Sequence, residues 1–173
     1  MAVPFDKPSV PLGDHDDTLH FIEYIDPAAF DDSINNNDDI MLLYSHEWDK
    51  PLARRSAGRL MIEKRADGIY YKATPPDTTI AQDLIKDIEA GNIVGNSFAF
   101  TVEQDEWTRR DDNVAVRRIL KGKLYEISPV VSPAYPDTSI AKRSLDATRK
   151  HSKQSLSALK RKLEIVKLKS KIN

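Results

Sequence analysis

The chain has no cysteine, so it can form no disulfide, offers no thiol nucleophile and builds no thiolate metal site. No stretch approaches the roughly 18 consecutive apolar residues of a membrane helix. The first residues are not a basic run leading into an apolar one, so neither a signal peptide nor a membrane span is expected. Glycine is scarce, with six in 173 residues, yet two of them, Gly91 and Gly95, stand four positions apart. That clustering marks 91–100, G-N-I-V-G-N-S-F-A-F, as a place where the backbone turns tightly or comes close to something else.

What is present is a soluble composition, 40% hydrophobic and 31% charged, enough for one core with a tail rather than two domains. The net charge of −1 conceals an asymmetry: residues 142–173 hold 11 Lys or Arg against 2 acids, and the preceding residues hold 15 against 25. The basic tail reads as a separate segment whose counter-surface is an acidic partner, a nucleic acid or the chain's own body. Within it Leu156, Leu159, Leu163 and Val166 recur at three-four spacing, which predicts a basic amphipathic helix over 144–173. It lacks aromatics for stacking on bases and any recognition motif, so nucleic acid is not the favoured partner.

Pro4, Pro8, Pro11 and the polar run Gly13 to Asp17 predict an extended arm over 1–19. His15 and His20 stand near aspartates but show no third ligand, so no metal or cofactor is expected. Strands are predicted over His20 to Ile25, Ile40 to Tyr44, Arg59 to Lys64, Ile69 to Ala73, Phe98 to Val102, Val114 to Leu120 and Leu124 to Val131. Asp67 and Gly68 are read as a hairpin turn, Gly122 as another turn, and Asp31 to Asp39 and Gln104 to Asp112 as polar loops. Pro129, Pro133 and Pro136 put the last strand at an edge or give it irregular ends. Thr78 or Thr79 caps a helix that runs to about Ala90 and stops at Gly91, with Ile80, Leu84, Ile85 and Ile88 as its apolar face. The sum over 20–143 is an α+β domain, mainly β, with a small barrel or bent sheet and a helix packed on it.

Three residues could do chemistry together. Ser97 sits between the helix and a strand, His46 at the end of an apolar strand, and Glu126 inside a strand between apolar neighbours. A serine needs its proton removed as it attacks; a neutral imidazole can take it, and a carboxylate on the other ring nitrogen holds the tautomer. Each residue also has a plainer reading: Ser97 as the start of a strand, His46 as a structural histidine, Glu126 as an outward-facing acid. Sequence separation alone does not choose between them.

The order and spacing of several short segments do point to a family. Phe21, Glu23, Ile25, Pro27, Ala29 and Phe30 come first, then Ser45, His46 and Glu47, then Asp67 to Tyr70 and Pro76 to Thr78. Gly91, Asn92, Ile93, Gly95, Ser97 to Phe100 and Trp107 follow, and the series closes with Leu124 to Val130 and Pro133 to Thr138. Over roughly 21–144 the chain resembles the prohead maturation serine proteases of tailed bacteriophages (caudoviruses), whose fold is related to the herpesvirus assemblin proteases.

The resemblance implies a small herpesvirus-protease-like β-barrel with packed helices. It implies His46 as base, Ser97 as nucleophile and Glu126 as third member. The implied activity is a serine endopeptidase that cleaves scaffold protein, major capsid protein or itself inside the procapsid in the host cytoplasm. Its partners would be those two proteins, with a homodimer as a further option. The oxyanion would meet backbone amides near Ser97 or in another loop, with Arg117 or Arg118 as candidate helpers. The chain departs from the family pattern in having Ser45 where Asn is common, Glu47 where Asp is common and Ala99 where Gly is common. It also has the proline-rich arm where many relatives have an extra strand, leaving a sheet edge for the arm or a dimer partner to cover. The competing classes are a non-catalytic capsid-assembly or scaffolding module and a nucleic-acid binder led by the tail.

Overall fold

The computed structural model describes residues 1–13 and 20–139; His15 and the helix expected over 144–173 lie outside them. The axis is one long strand, β9 (Ala115–Val130). Along one side runs β8 (Gly95–Arg109), antiparallel over its whole length. The other side is shared: β3 (His20–Ile25) pairs in parallel with Ala115 to Ile119, and β4 (Met41–Tyr44) pairs in parallel with Glu126 and Ile127. Short β2 (Leu12–Gly13) borders β3, and β5 (Glu47–Arg54) borders β4.

A second sheet is made by β6 (Leu60–Arg65) and β7 (Gly68–Ala73), with β1 (Val3–Pro4) added to the β7 edge. Val3, Leu60 and Ile69 from this sheet join Ile25, Leu42, Phe98, Ile119, Leu124 and Ile127 from the other in one buried core. The closed barrel that the resemblance implies is not what the hydrogen bonding describes. The larger sheet's ladder runs from β2 to β5 without joining its ends, and the smaller has three strands. The fold is α+β, mainly strands, in two sheets.

The helix is where its signals put it. In α2 (Thr79–Ala90) the Thr78 side chain accepts from the Ala81 amide, and Gly91 ends the helix at φ 78°, a conformation in which a Cβ would be strained. Ala81 and Leu84 are buried in the core, while Ile80 and Ile88 pack against it half-buried. Asp31 to Asp39 is not all loop, because α1 (Asp31–Asn35) forms within it. Arg55 donates to the carbonyls of Ser33 and Ile34 near the end of α1, and the buried Ser33 hydroxyl accepts from the Leu124 amide of β9. These are long-range partners that a local pattern cannot reveal.

Two glycines read as turns serve close approach instead. The β6–β7 turn is Ala66 and Asp67; Gly68 already pairs with Arg65, and a Cβ on it would collide with the Val3 carbonyl oxygen. Gly122 lies within β9, where a Cβ would meet the Thr101 carbonyl oxygen at 2.7 Å. The β8 ladder likewise continues through the polar stretch to Arg109, with Asp105, Glu106 and Trp107 opposite Ile119, Arg118 and Arg117. Trp107 packs edge-on against Phe21, which accounts for an aromatic in a stretch that looks like loop.

Despite Pro129, β9 is central rather than an edge. The Asn96 amide facing Pro129 points away from β9, to Thr138 Oγ1, so that pair exchanges no ladder bonds and the missing proline N–H is not needed there. The N-terminal segment is extended, as its prolines suggest, and lies on the body. Ala2, Val3 and Phe5 are buried, and the amides of Phe5, Asp6 and Ser9 donate in turn to Asp67, Ile25 and Glu23, carrying the segment from the smaller sheet to β3.

Candidate active site

Tyr44 and Glu47 pair across a two-residue loop, Ser45 and His46, with φ of 50° and 65°. Positive φ at both central positions is the signature of a type I′ hairpin turn, which matches strand twist but strains side-chain-bearing residues; Asn-Gly is the usual solution. Asn tolerates the left-handed region better than Ser, so Ser45 is a strained choice at this position. Here the turn is held from β9. The Ser45 amide donates to the Pro129 carbonyl at 3.2 Å, and the His46 amide donates to Ser128 Oγ at 2.9 Å. On the other flank the Tyr44 hydroxyl donates to Asp87 of α2 at 2.7 Å.

The parallel β4–β9 register therefore delivers His46 onto the side chain of Glu126, 80 residues away in sequence. His46 Nδ1 and Glu126 Oε1 are 2.6 Å apart. The carboxylate is almost fully buried, at 1% exposure, whereas the imidazole is 43% exposed. With a carboxylate accepting at Nδ1, the neutral ring carries its hydrogen there and presents its lone pair at Nε2. Glu126 Oε2 accepts from Ser128 Oγ at 2.5 Å. Ser128 thus donates to the Glu126 carboxylate and accepts from the His46 backbone.

Ser97 stands directly opposite Ser128 in the β8–β9 ladder, and Ala99 opposite Glu126. Side chains directly opposite each other project to the same face with Cβ atoms about 4.5–5.5 Å apart, so Ser97 shares the face that carries Ser128, Glu126 and the imidazole. Ser97 is half-buried, and among the described residues no hydrogen bond joins its hydroxyl to His46. The strand is fixed one residue earlier. Asn96 is fully buried, accepts from Tyr71 Oη at 2.9 Å, and donates through Nδ2 to the carbonyls of Met1 and Ser139. Ala99 has no positive φ, so its Cβ imposes no backbone strain beside Ser97.

Arg117 and Arg118 are not oxyanion helpers. They lie at the other end of β9, and nine residues of strand separate Arg117 from Glu126, roughly 30 Å at about 3.3 Å per residue. Arg117 pairs with Asp105 at 2.7 Å and Glu23 at 3.4 Å; Arg118 pairs with Asp6 and Asp26. Ser128, Asn96 and Asp87 were not assigned roles from sequence. Only Ser128 had a readable signal, the two-residue spacing that puts it on the same strand face as Glu126.

A buried carboxylate on the inner nitrogen of a half-exposed histidine, with a serine on the neighbouring strand, is the group set that acyl-transfer hydrolysis uses. Among the described residues no helix is long and apolar enough to cross a membrane. Comparison with curated proteins and with solved structures returned no match. The sequence does match, over residues 2–151, the family described as caudovirus prohead serine protease. That match spans most of the chain, which therefore belongs to the caudovirus prohead serine proteases, serine peptidases that act on phage capsid proteins during head maturation in the host cytoplasm.

Proposed function

We propose that Ser97 is the nucleophile, His46 the general base and then acid, and Glu126 the group that orients and steadies the imidazolium. The observation that carries this is the 2.6 Å contact between His46 Nδ1 and the buried Glu126 carboxylate, which leaves Nε2 as the ring's open nitrogen on the face shared with Ser97. Ser97 Oγ attacks a peptide carbonyl carbon while its proton passes to His46 Nε2, and the carbonyl π electrons move to oxygen. The tetrahedral centre then collapses: the C–N bond breaks, the amine leaves with the proton from Nε2, and an ester to Ser97 remains. Water, deprotonated by the same nitrogen, attacks the ester and releases the acid and free Ser97. Backbone amides near Ser97 or in another loop would face the developing oxyanion.

The substrates are the scaffold protein or the scaffold-like region of the major capsid protein, and the protease itself, in the interior of the procapsid. The basic segment over 142–173 targets the enzyme to an acidic surface of those partners, an assignment motivated by its charge. The wider reading of the fold is a variant of the herpesvirus-protease barrel, with the N-terminal segment covering sheet edges that a homodimer would otherwise cover.

The test is coexpression with the native capsid and scaffold proteins, comparing wild type with Ser97→Ala and mapping new termini by intact-mass spectrometry. New termini only with wild type are expected. The same termini with Ser97→Ala would remove Ser97 from the mechanism, and normal encapsidation of a chain ending at Arg143 would remove the targeting role of the tail.

A further inference from the structure

Glu126 and His46 meet through side chains, but the same two residues are also joined through a third group. Ser128 Oγ donates to Glu126 Oε2 at 2.5 Å and accepts from the His46 backbone amide at 2.9 Å, and the residue is completely buried. Its position in the ladder puts it opposite Ser97. We propose that Ser128 is a positioning residue for the hydrolysis: one hydroxyl fixes the rotation of the Glu126 carboxylate and the backbone of the strained turn that carries the base. The inference rests on the catalytic reading of Ser97, His46 and Glu126 given above.

Two observations carry it beyond mere satisfaction of a buried acid. First, a carboxylate buried in this sheet has other ways to be satisfied, as Glu23 shows with a tyrosine and an arginine. At Glu126 the second oxygen is met by a group that also holds the histidine. Second, a turn with two residues at positive φ stays formed only where its surroundings over-determine it. The Ser128 hydroxyl is one of the backbone anchors of that turn, beside the Pro129 carbonyl. Without it the carboxylate can rotate about its terminal torsion and the His46 backbone loses its acceptor. Both changes displace Nε2 relative to Ser97, and reaction rates respond to such displacement steeply.

The experiment follows inactivation of the full-length protein by a fluorophosphonate, resolving the limiting acylation rate, kinact, from the affinity term, KI. Ser128→Ala lowers kinact roughly 10- to 100-fold, the worth of a hydrogen bond to a charged group, and leaves KI unchanged. Ser128→Thr, which keeps the hydroxyl, restores most of the rate. Should Ser128→Ala fail to fold, Ser128→Cys fills the site with only a weak donor and loses rate in the same way. Wild-type kinact in a folded Ser128→Ala or Ser128→Cys protein overturns the proposal, as does an equal loss in Ser128→Thr. Ser97→Ala, run alongside, separates the two levels. If it is still labelled at the same rate, the nucleophile assignment fails. If it is not labelled while Ser128→Ala reacts normally, only the positioning role fails.

Discussion

The two halves of β9 each bury a carboxylate against a neighbouring strand, and they treat it differently. At the first half Glu23, 5% exposed, takes a hydrogen bond from Tyr135 Oη at 2.9 Å and an ion pair from Arg117, which in turn holds Asp105 at 2.7 Å and stacks over Trp107. At the second half Glu126, 1% exposed, is met by a serine hydroxyl and by an imidazole that is itself 43% exposed. The charged partner of Glu23 is an arginine, whose guanidinium cannot serve as a proton acceptor. The partner of Glu126 is a ring that can change protonation, with its second nitrogen available to the serine's face. Burial of an acid is common to both; the chemistry lies in whether its partner can move a proton.

The comparison is sharpened most by removing the groups proposed to react. Ser97→Ala should lower cleavage of the capsid or scaffold partner by roughly 10⁴-fold or more, read from band intensities in the coexpression assay. Glu126→Gln should lower it by about 10⁴-fold with the fold intact. The amide carbonyl can accept from Ser128 while its NH₂ faces Nδ1, and that arrangement puts the imidazole hydrogen on the wrong nitrogen. Glu23→Gln should leave cleavage at the wild-type rate. A Glu23→Gln protein as inactive as Glu126→Gln would erase the distinction between the two halves.

That contrast was only partly legible in the sequence, for physical reasons. The ends of α2 were readable because capping is local: Thr78 and Gly91 act on amides and carbonyls a few residues away. The placement of His46 after an apolar strand was readable for the same reason. The β5 strand was not, because it opposes β4 irregularly, with register shifts either side of Leu43 that push Trp48 to Lys50 out of the pairing. The polar second half of β8 and the continuity of β9 through Gly122 depend on each strand having the other, which composition does not record. The meeting of His46 with Glu126 comes from a parallel register between strands some 80 residues apart, and the resemblance to a family, not periodicity, pointed there. The same resemblance implied a barrel, where the ladders describe two open sheets.

Stability effects are expected at the first half of β9. Tyr135→Phe removes a buried donor from Glu23 and should cost about 1–3 kcal/mol, measured by urea denaturation, without slowing cleavage. The pH dependence has a definite sign. Burial raises the Glu23 carboxyl above its ordinary value of 4.5, against the opposing hydrogen bond from Tyr135 and the charge of Arg117. Between the unfolded and the raised folded value the native state binds more protons, so this group's contribution to stability declines as pH rises through that window. Glu23→Gln lacks that decline, and its Tm relative to wild type should rise as pH increases above the ordinary carboxyl value of 4.5. A flat difference would mean that Arg117 and Tyr135 fully offset the burial. The smallest effect is at the turn: Ser45→Asn should stabilise by about 0.5 kcal/mol, because Asn tolerates positive φ better than Ser, read as a shift in the urea midpoint with cleavage unchanged.

The most direct measurement is to treat the folded wild-type protein with a fluorophosphonate and locate the adduct by peptide mass mapping, alongside His46→Ala, Glu126→Gln and Glu23→Gln. A single adduct on Ser97 is expected, lost or greatly slowed in His46→Ala and Glu126→Gln and retained in Glu23→Gln. An adduct on another serine, or labelling of Ser97 that is indifferent to His46 and Glu126, would contradict the account.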